Sequence, residues 1–178
     1  MSNVAAYLAK EALKDGNEVT IRAMRPDDKE PLVKAFLHLQ PQTIRTRFFY
    51  PKKTLSEDDL RWLDEISHGN HVGLVATVPS GCEELIIGEG SYAVLDRTAE
   101  IGFTVAEAWQ RRGIASRLLQ HLASIARGQG VAEFEAYVLP ENAPMLAVFR
   151  RSGLPITTRY AEGVLHVTLL LDSPAAPR

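Results

Sequence analysis

Apolar residues recur at two spacings along this chain, and the spacing switches at turn-forming residues. From Glu18 to Met24, Val19, Ile21 and Ala23 alternate with Thr20 and Arg22, which predicts an opening strand. Upstream, Ala5 to Lys14 reads as a short helix ended by Gly16, so residues 1–17 form an N-terminal helical appendage. Pro26-Asp27-Asp28 starts a helix, with Pro31 tolerable in a first turn and Leu32, Val33, Phe36, Leu37 and Leu39 giving one apolar face. Ser56 followed by Asp59 is a capping box in its Asp-bearing form, opening a helix to about Ile66. Two strands follow, His71 to Val78 and Leu85 to Leu95, joined by a Pro79-Ser80-Gly81 turn. A further strand runs from about Thr98 to Val105. Helix Gly113 to Gly128 then carries Ile114, Leu118, Leu122 and Ile125 at helical spacing. Strand Val131 to Val138, helix Asn142 to Ser152 and strands near Ile156 to Arg159 and Val164 to Leu171 complete the pattern. The Pro/Ala-rich tail 172–178 reads as disordered. Helices alternate with strands, and several strands are hairpin-connected. The order predicts an α/β (α+β) chain with a mixed, mostly antiparallel central sheet flanked by helices, in one domain over 18–171.

Composition narrows the function classes. The chain has 178 residues, 46% hydrophobic and 24% charged, an ordinary globular composition sufficient for one sizeable core. Its 20 basic and 22 acidic side chains give a net charge of −2, which argues against a nucleic-acid binder. No apolar run approaches the roughly 18 residues of a membrane span. The first ten residues lack a signal-peptide pattern, and the single Cys82 permits no internal disulfide. These features predict a cytoplasmic protein without membrane partners, a monomer or homodimer. Cys82, in a hairpin turn without a histidine nearby in sequence, reads as a surface thiol. His38, His68, His71, His121 and His166 show no metal-ligand spacing, so no metal is expected.

The chemically informative stretch is Ala99 to Leu154. It runs from a strand through Gln110-Arg111-Arg112-Gly113-Ile114-Ala115 into an amphipathic helix. Such a loop leaves backbone N–H groups exposed at a helix N-terminus, where the helix dipole favours a pyrophosphate. Gly113 permits close approach of a ligand, and Arg111, Arg112 and Arg117 offer charge-assisted contacts. By itself the loop reads equally as a plain strand-to-helix turn with solvated arginines. Trp109, just before it, reads as a packing residue that braces it. The cluster Arg45, Arg47, Phe48, Phe49, Tyr50, Lys52 and Lys53 lines an acceptor groove or forms a solvated basic face with its aromatics in the core.

Gln110, Gly113 and Ala115 resemble the acyl-CoA signature Gln/Arg-x-x-Gly-x-Gly/Ala of the GNAT superfamily of N-acetyltransferases, in its place between strand and helix. Asn142 to Leu154 resembles the second signature of that superfamily, an Asn-led helix closing with an aromatic and a Gly-Phe-like pair. Within the superfamily the chain is similar to the acetyltransferase domain of Pat-type protein lysine acetyltransferases. The similarity lies in Val19-Thr20-Ile21-Arg22, Arg25-Pro26-Asp27-Asp28, Thr46-Arg47-Phe48-Phe49, Ala99 to Val105 and Gly163 to Val167.

This resemblance implies a GNAT-like sheet splayed into a V where acetyl-CoA, the co-substrate, inserts. It implies transfer of the acetyl group to an amine, a protein lysine or a small molecule, by direct attack in a ternary complex. A non-catalytic acyl-CoA-binding domain is the reading from another class. The cofactor-binding set it implies is the loop Gln110, Arg111, Arg112, Gly113, Ile114, Ala115 and Ser116, the strand backbone at Phe103, Thr104 and Val105, and Asn142. Asn142 reads equally as a helix cap alone. Glu100 is implied as the general base. A lysine ammonium is roughly 99.9% protonated at pH 7 and must lose a proton before it attacks. A solvent-facing strand glutamate is the bland reading of the same residue. Phe149 departs from the pattern, because many relatives carry there a tyrosine that protonates the leaving thiolate.

Overall fold

The structure, a computed structural model, describes residues 4–64, 66 and 70–172. The elements are β1 (Leu8–Ala12), β2 (Glu18–Ala23), α1 (Lys29–Leu37), α2 (Pro41–Phe48), α3 (Glu57–Leu60), β3 (His71–Ser80), β4 (Glu83–Leu95), β5 (Thr98–Val105), α4 (Ile114–Gly128), β6 (Glu133–Val138), α5 (Ala143–Arg150), β7 (Ile156–Ala161) and β8 (Val164–Leu170). The eight strands form one sheet in the order β1-β2-β3-β4-β5-β6-β8-β7. Every neighbouring pair is antiparallel except β5 and β6. The mixed, mostly antiparallel sheet flanked by helices is the one the sequence predicts. No helix among the described residues is long and apolar enough to cross a membrane.

Two apolar layers cover the sheet. On one face α4 buries Ile114, Leu118, Leu119 and Leu122 against Ile21, Leu74, Ile87, Phe103 and Phe134. Each fully buried leucine of that stripe contributes about 1.5–3 kcal/mol. On the other face Leu32 of α1, Leu60 and Leu63 pack on Met24, Val75 and Ile86. β3 lies under both layers, which is why Val72 to Thr77 is continuously buried rather than alternating.

The N-terminal segment differs from its expected helix. Among the described residues, only a short 3-10 turn, Val4–Ala6, precedes β1, which pairs with β2 from Leu8 opposite Arg22 to Ala12 opposite Glu18. Asp15 and Gly16 make the hairpin turn: Gly16 takes a left-handed φ of 85°, and the Asn17 N–H donates to Asp15 Oδ1 at 3.1 Å. Residues 8–12 therefore extend the sheet and are not a separate appendage. The segment 41–48, which shows no apolar period in the sequence, is α2, with Pro41 in its first turn. The helix opened by Ser56 is four residues long and passes into a 3-10 turn, Arg61–Leu63. The turn read at Pro79-Ser80-Gly81 is tighter. Pro79 and Ser80 still pair with Glu84 and Glu83, leaving Gly81 and exposed Cys82 as the loop. Pro79 lies beyond the last rung to β2, so its missing N–H breaks no ladder. Of the tail read as disordered, residues 173–178 lie outside the described residues.

Candidate active site

The phosphate-type loop is built by backbone conformation. After β5 a 3-10 turn, Glu107–Trp109, leads to Gln110 in an extended conformation. Arg111 and Gly113 then adopt left-handed φ values of 62° and 90°, and Gly113 is the N-cap of α4. An L-residue loses about 1–2 kcal/mol in that region, so glycine suits position 113. The first-turn N–H groups of α4, at Ile114, Ala115 and Ser116, have no intrahelical acceptor and carry the positive end of the helix dipole. Ile114 offers only its backbone, because its side chain is 2% exposed and packs against Gly88.

Gln110 braces the loop. Its Nε2 donates to the Val105 carbonyl at 3.0 Å and to Thr43 Oγ1 at 3.3 Å, tying the loop to the end of β5 and to α2. Arg111 is exposed. Arg112 lies over the Trp109 ring, 4.9 Å from its centroid, so Trp109 does support the loop. A bulge helps to fix the end of β5: Ile87 is the extra residue of β4, and its carbonyl accepts the Ala106 N–H at 2.9 Å.

β5 and β6 share only three rungs, Thr98/Glu133, Ala99/Phe134 and Glu100/Glu135. From Ile101 onward β5 pairs with β4 alone, while β6 continues along β8 to Val138. The sheet therefore splays into a V whose apex is the Glu100 rung. Because the two strands are parallel, the segments that follow them leave at the same end, one on each side of the gap. One is the loop of Gln110 to Gly113 and the other leads to Asn142. Phe103, Thr104 and Val105 border the opening. Asn142 caps α5, its Oδ1 accepting the Met145 N–H at 3.3 Å and its amide NH2 staying outside that cap bond. Phe149 is 1% exposed and packs against Phe103 at a centroid separation of 6.2 Å. It is a core residue that helps to join α5 to β5.

Glu100 is exposed and shares its face of β5 with Gly102 and Thr104, while Ile101 and Phe103 are buried on the other. That face leads into a cleft the sequence reading assembled only in part. A cavity of about 150 Å3 lies between α1, α2 and the sheet, lined by Met24, Phe36, Phe48 and Trp62 and, at the sheet, by Glu89 and Thr104. Arg47 of α2 lies across Gly102, where a Cβ would come within 2.8 Å of its guanidinium carbon. Its Nε is 3.6 Å from Glu89 Oε1. From the basic aromatic cluster, Arg47 and Phe48 thus line the cleft, whereas Phe49 and Tyr50 are exposed. Glu89 was missed, although a carboxylate flanked by Gly88 and Gly90 inside an apolar strand is an unusual pattern. On the far side of the apex, His166 Nε2 is 3.6 Å from Glu135 Oε2, and its ring stacks on Tyr137 at 4.8 Å. Among the described residues, no three His, Cys, Asp or Glu side chains converge to hold a metal ion.

Comparisons with known proteins identify the family and the fold. Residues 18–155 match the family described as acetyltransferase (GNAT) domain. Acetyltransferase PA5475 of Pseudomonas aeruginosa is 31% identical over 137 residues, covering 76% of this chain and 74% of the relative. Acetyltransferase Pat of Mycolicibacterium smegmatis is 29% identical over 145 residues, 79% of this chain but 42% of Pat. Among solved structures, the GNAT domain of S. lividans PAT superposes with a TM-score of 0.80 at 31% identity, covering 92% of this chain and 96% of that one. YncA of Salmonella typhimurium, solved with acetyl-CoA, shares the fold at a TM-score of 0.70 and 20% identity, covering 91% and 99%.

Proposed function

The chain belongs to the GNAT acetyltransferase family, and from that premise we propose that it moves an acetyl group from acetyl-CoA to the side-chain amine of a protein lysine. The observation that carries this reading is the opening of the sheet just past the Glu100 rung, with a helix N-terminus at its wide end. Acetyl-CoA supplies the activated acetyl group as a thioester. The N–H groups at Ile114 to Ser116 bind its pyrophosphate, and the edge of β5 at Phe103 to Val105, unpaired with β6, pairs with the pantetheine arm. A β5 N–H polarises the thioester carbonyl as an oxyanion donor.

Glu100 takes the proton from the acceptor ammonium, directly or through one water. The freed amine nitrogen bonds to the carbonyl carbon and loses its second proton to solvent water, the carbon–sulfur bond breaks, and CoA leaves as thiolate. Phe149 cannot donate a proton to it, and a thiol with an ordinary pKa near 8.5 leaves without that help. Holding both reactants at one apex supplies much of the acceleration. The lysine acceptor is supported by the relationship to Pat and by the carboxylates Glu89, Glu100 and Glu135 along one face, which attract a cationic group. Incubating the enzyme with radiolabelled acetyl-CoA and, in parallel, a panel of folded proteins and a panel of small amines tests this acceptor. Label in protein lysines supports it, and label confined to small amines overturns it.

A further inference from the structure

The two arginines beside the Gly113 corner are gripped from outside the loop, by the N-terminal hairpin. Arg117 Nε donates to Glu11 Oε2 at 3.2 Å, and its Nη2 donates to the Ala12 carbonyl. Its remaining terminal nitrogen, Nη1, stands 2.9 Å from the place a Cβ on Gly113 would take. The other oxygen of Glu11 meets His121 Nε2 at 2.8 Å, and the Tyr7 hydroxyl bonds His121 Nδ1. Arg112 Nη1 donates to Asp15 Oδ2 at 2.6 Å while its guanidinium carbon lies over the Trp109 ring. The turn itself holds Asp15, whose Oδ1 accepts the Asn17 N–H. That backbone bond, with Arg112, keeps the Asp15 carboxyl below its ordinary range.

We propose that the β1–β2 hairpin is part of the phosphate site, with Glu11 and Asp15 as positioning residues that hold Arg117 and Arg112 so that their spare N–H donors face the phosphates of acyl-CoA. The inference rests on the acyl-CoA reading above. An arginine has five N–H donors in a planar fork. The contacts to the hairpin use one nitrogen of Arg112 and two of Arg117, and the nitrogen of Arg117 left over points at the Gly113 hollow. An unheld arginine would lose its rotamer freedom on binding the ligand; these have lost it on folding, so the ligand is bound by a preorganised site.

The test compares wild type with Asp15→Ala, Glu11→Ala and the conservative Asp15→Glu, using acetyl-CoA and acetyl-pantetheine, which has the same thioester but no nucleotide phosphates. Each alanine variant is expected to weaken acetyl-CoA binding about three- to tenfold, the worth of one preordered side chain, through KM rather than kcat. Asp15→Glu should recover most of the loss, and acetyl-pantetheine should bind all forms alike. Unchanged acetyl-CoA affinity, or equal losses for both donors, overturns the proposal and leaves the hairpin a structural element. Absence of acetyl-CoA binding by wild type is a separate result, which removes the donor reading and this inference with it.

Discussion

Glu100 faces Glu135 across the last rung that joins β5 to β6. Two carboxylates on one face at the apex of a V form a local negative field, and the proposed function brings the acceptor ammonium there. Removing one of them should weaken acceptor attraction without touching the phosphate end. Glu135→Gln is expected to raise KM for a lysine acceptor by about threefold to tenfold, near the 1 kcal/mol of a partly exposed charge pair, with acetyl-CoA affinity unchanged. Steady-state kinetics at two salt concentrations checks this, because the difference should shrink as ionic strength rises.

Gly113 gives the loop its second left-handed corner, with φ at 90°. Gly113→Ala should lose about 1–2 kcal/mol of stability from the backbone alone. It should also push on Arg117 Nη1 and weaken acetyl-CoA binding about tenfold, if a further 1.4 kcal/mol of contact energy is lost. Thermal unfolding with and without acetyl-CoA separates the two effects. The variant should melt lower and gain less from the ligand.

Away from the site, Arg22 is 4% exposed and forms a fork with Asp28, at 2.9 and 2.8 Å, while also holding Glu84. Asp28 is 3% exposed and accepts the Arg25 N–H at 2.7 Å, starting the turn into α1. Arg22→Met would leave Asp28 buried and unpaired, and should destabilise the fold by about 3–5 kcal/mol in urea unfolding. Hydrogen bonding to Arg22 holds the Glu84 carboxyl below its ordinary range, and burial opposes this. A carboxylate with a lowered folded pKa adds stability above its unfolded pKa and loses it as pH falls through the folded one. Stability should therefore drop below about pH 4.5, the ordinary value for this group, and Glu84→Gln should flatten that part of the pH profile.

What the sequence revealed follows from how local each feature is. α4 and β5 were legible because Ile114, Leu118, Leu122 and Ile125 keep a helical period and Ile101 and Phe103 an alternating one. The loop was legible because six consecutive residues build it. β1 was misread because Leu, Ala, Lys and Glu are good helix formers, and the open edge of β2 overrides that preference. The Asp15-Gly16 pair, a hairpin signal, was the clue to the contrary. α2 was missed because only Ile44 of its eight residues is buried, which leaves no period to see. The pairs Arg112–Asp15 and Arg117–Glu11 span 97 and 106 residues, and Arg47 reaches Glu89 from another element. No local pattern encodes such partners.

The proposed transfer depends most directly on Glu100 as the base, and one comparison tests that role. Acetyl-CoA binding by calorimetry and acetyl transfer from labelled acetyl-CoA to lysine should be measured side by side for wild type and Glu100→Gln. The account predicts dissociation constants within about twofold of each other, since the substitution spares the phosphate site, and transfer reduced by about 10²–10⁴, the range for loss of a general base. Equal turnover by the two proteins at neutral pH would contradict it and remove Glu100 as the base.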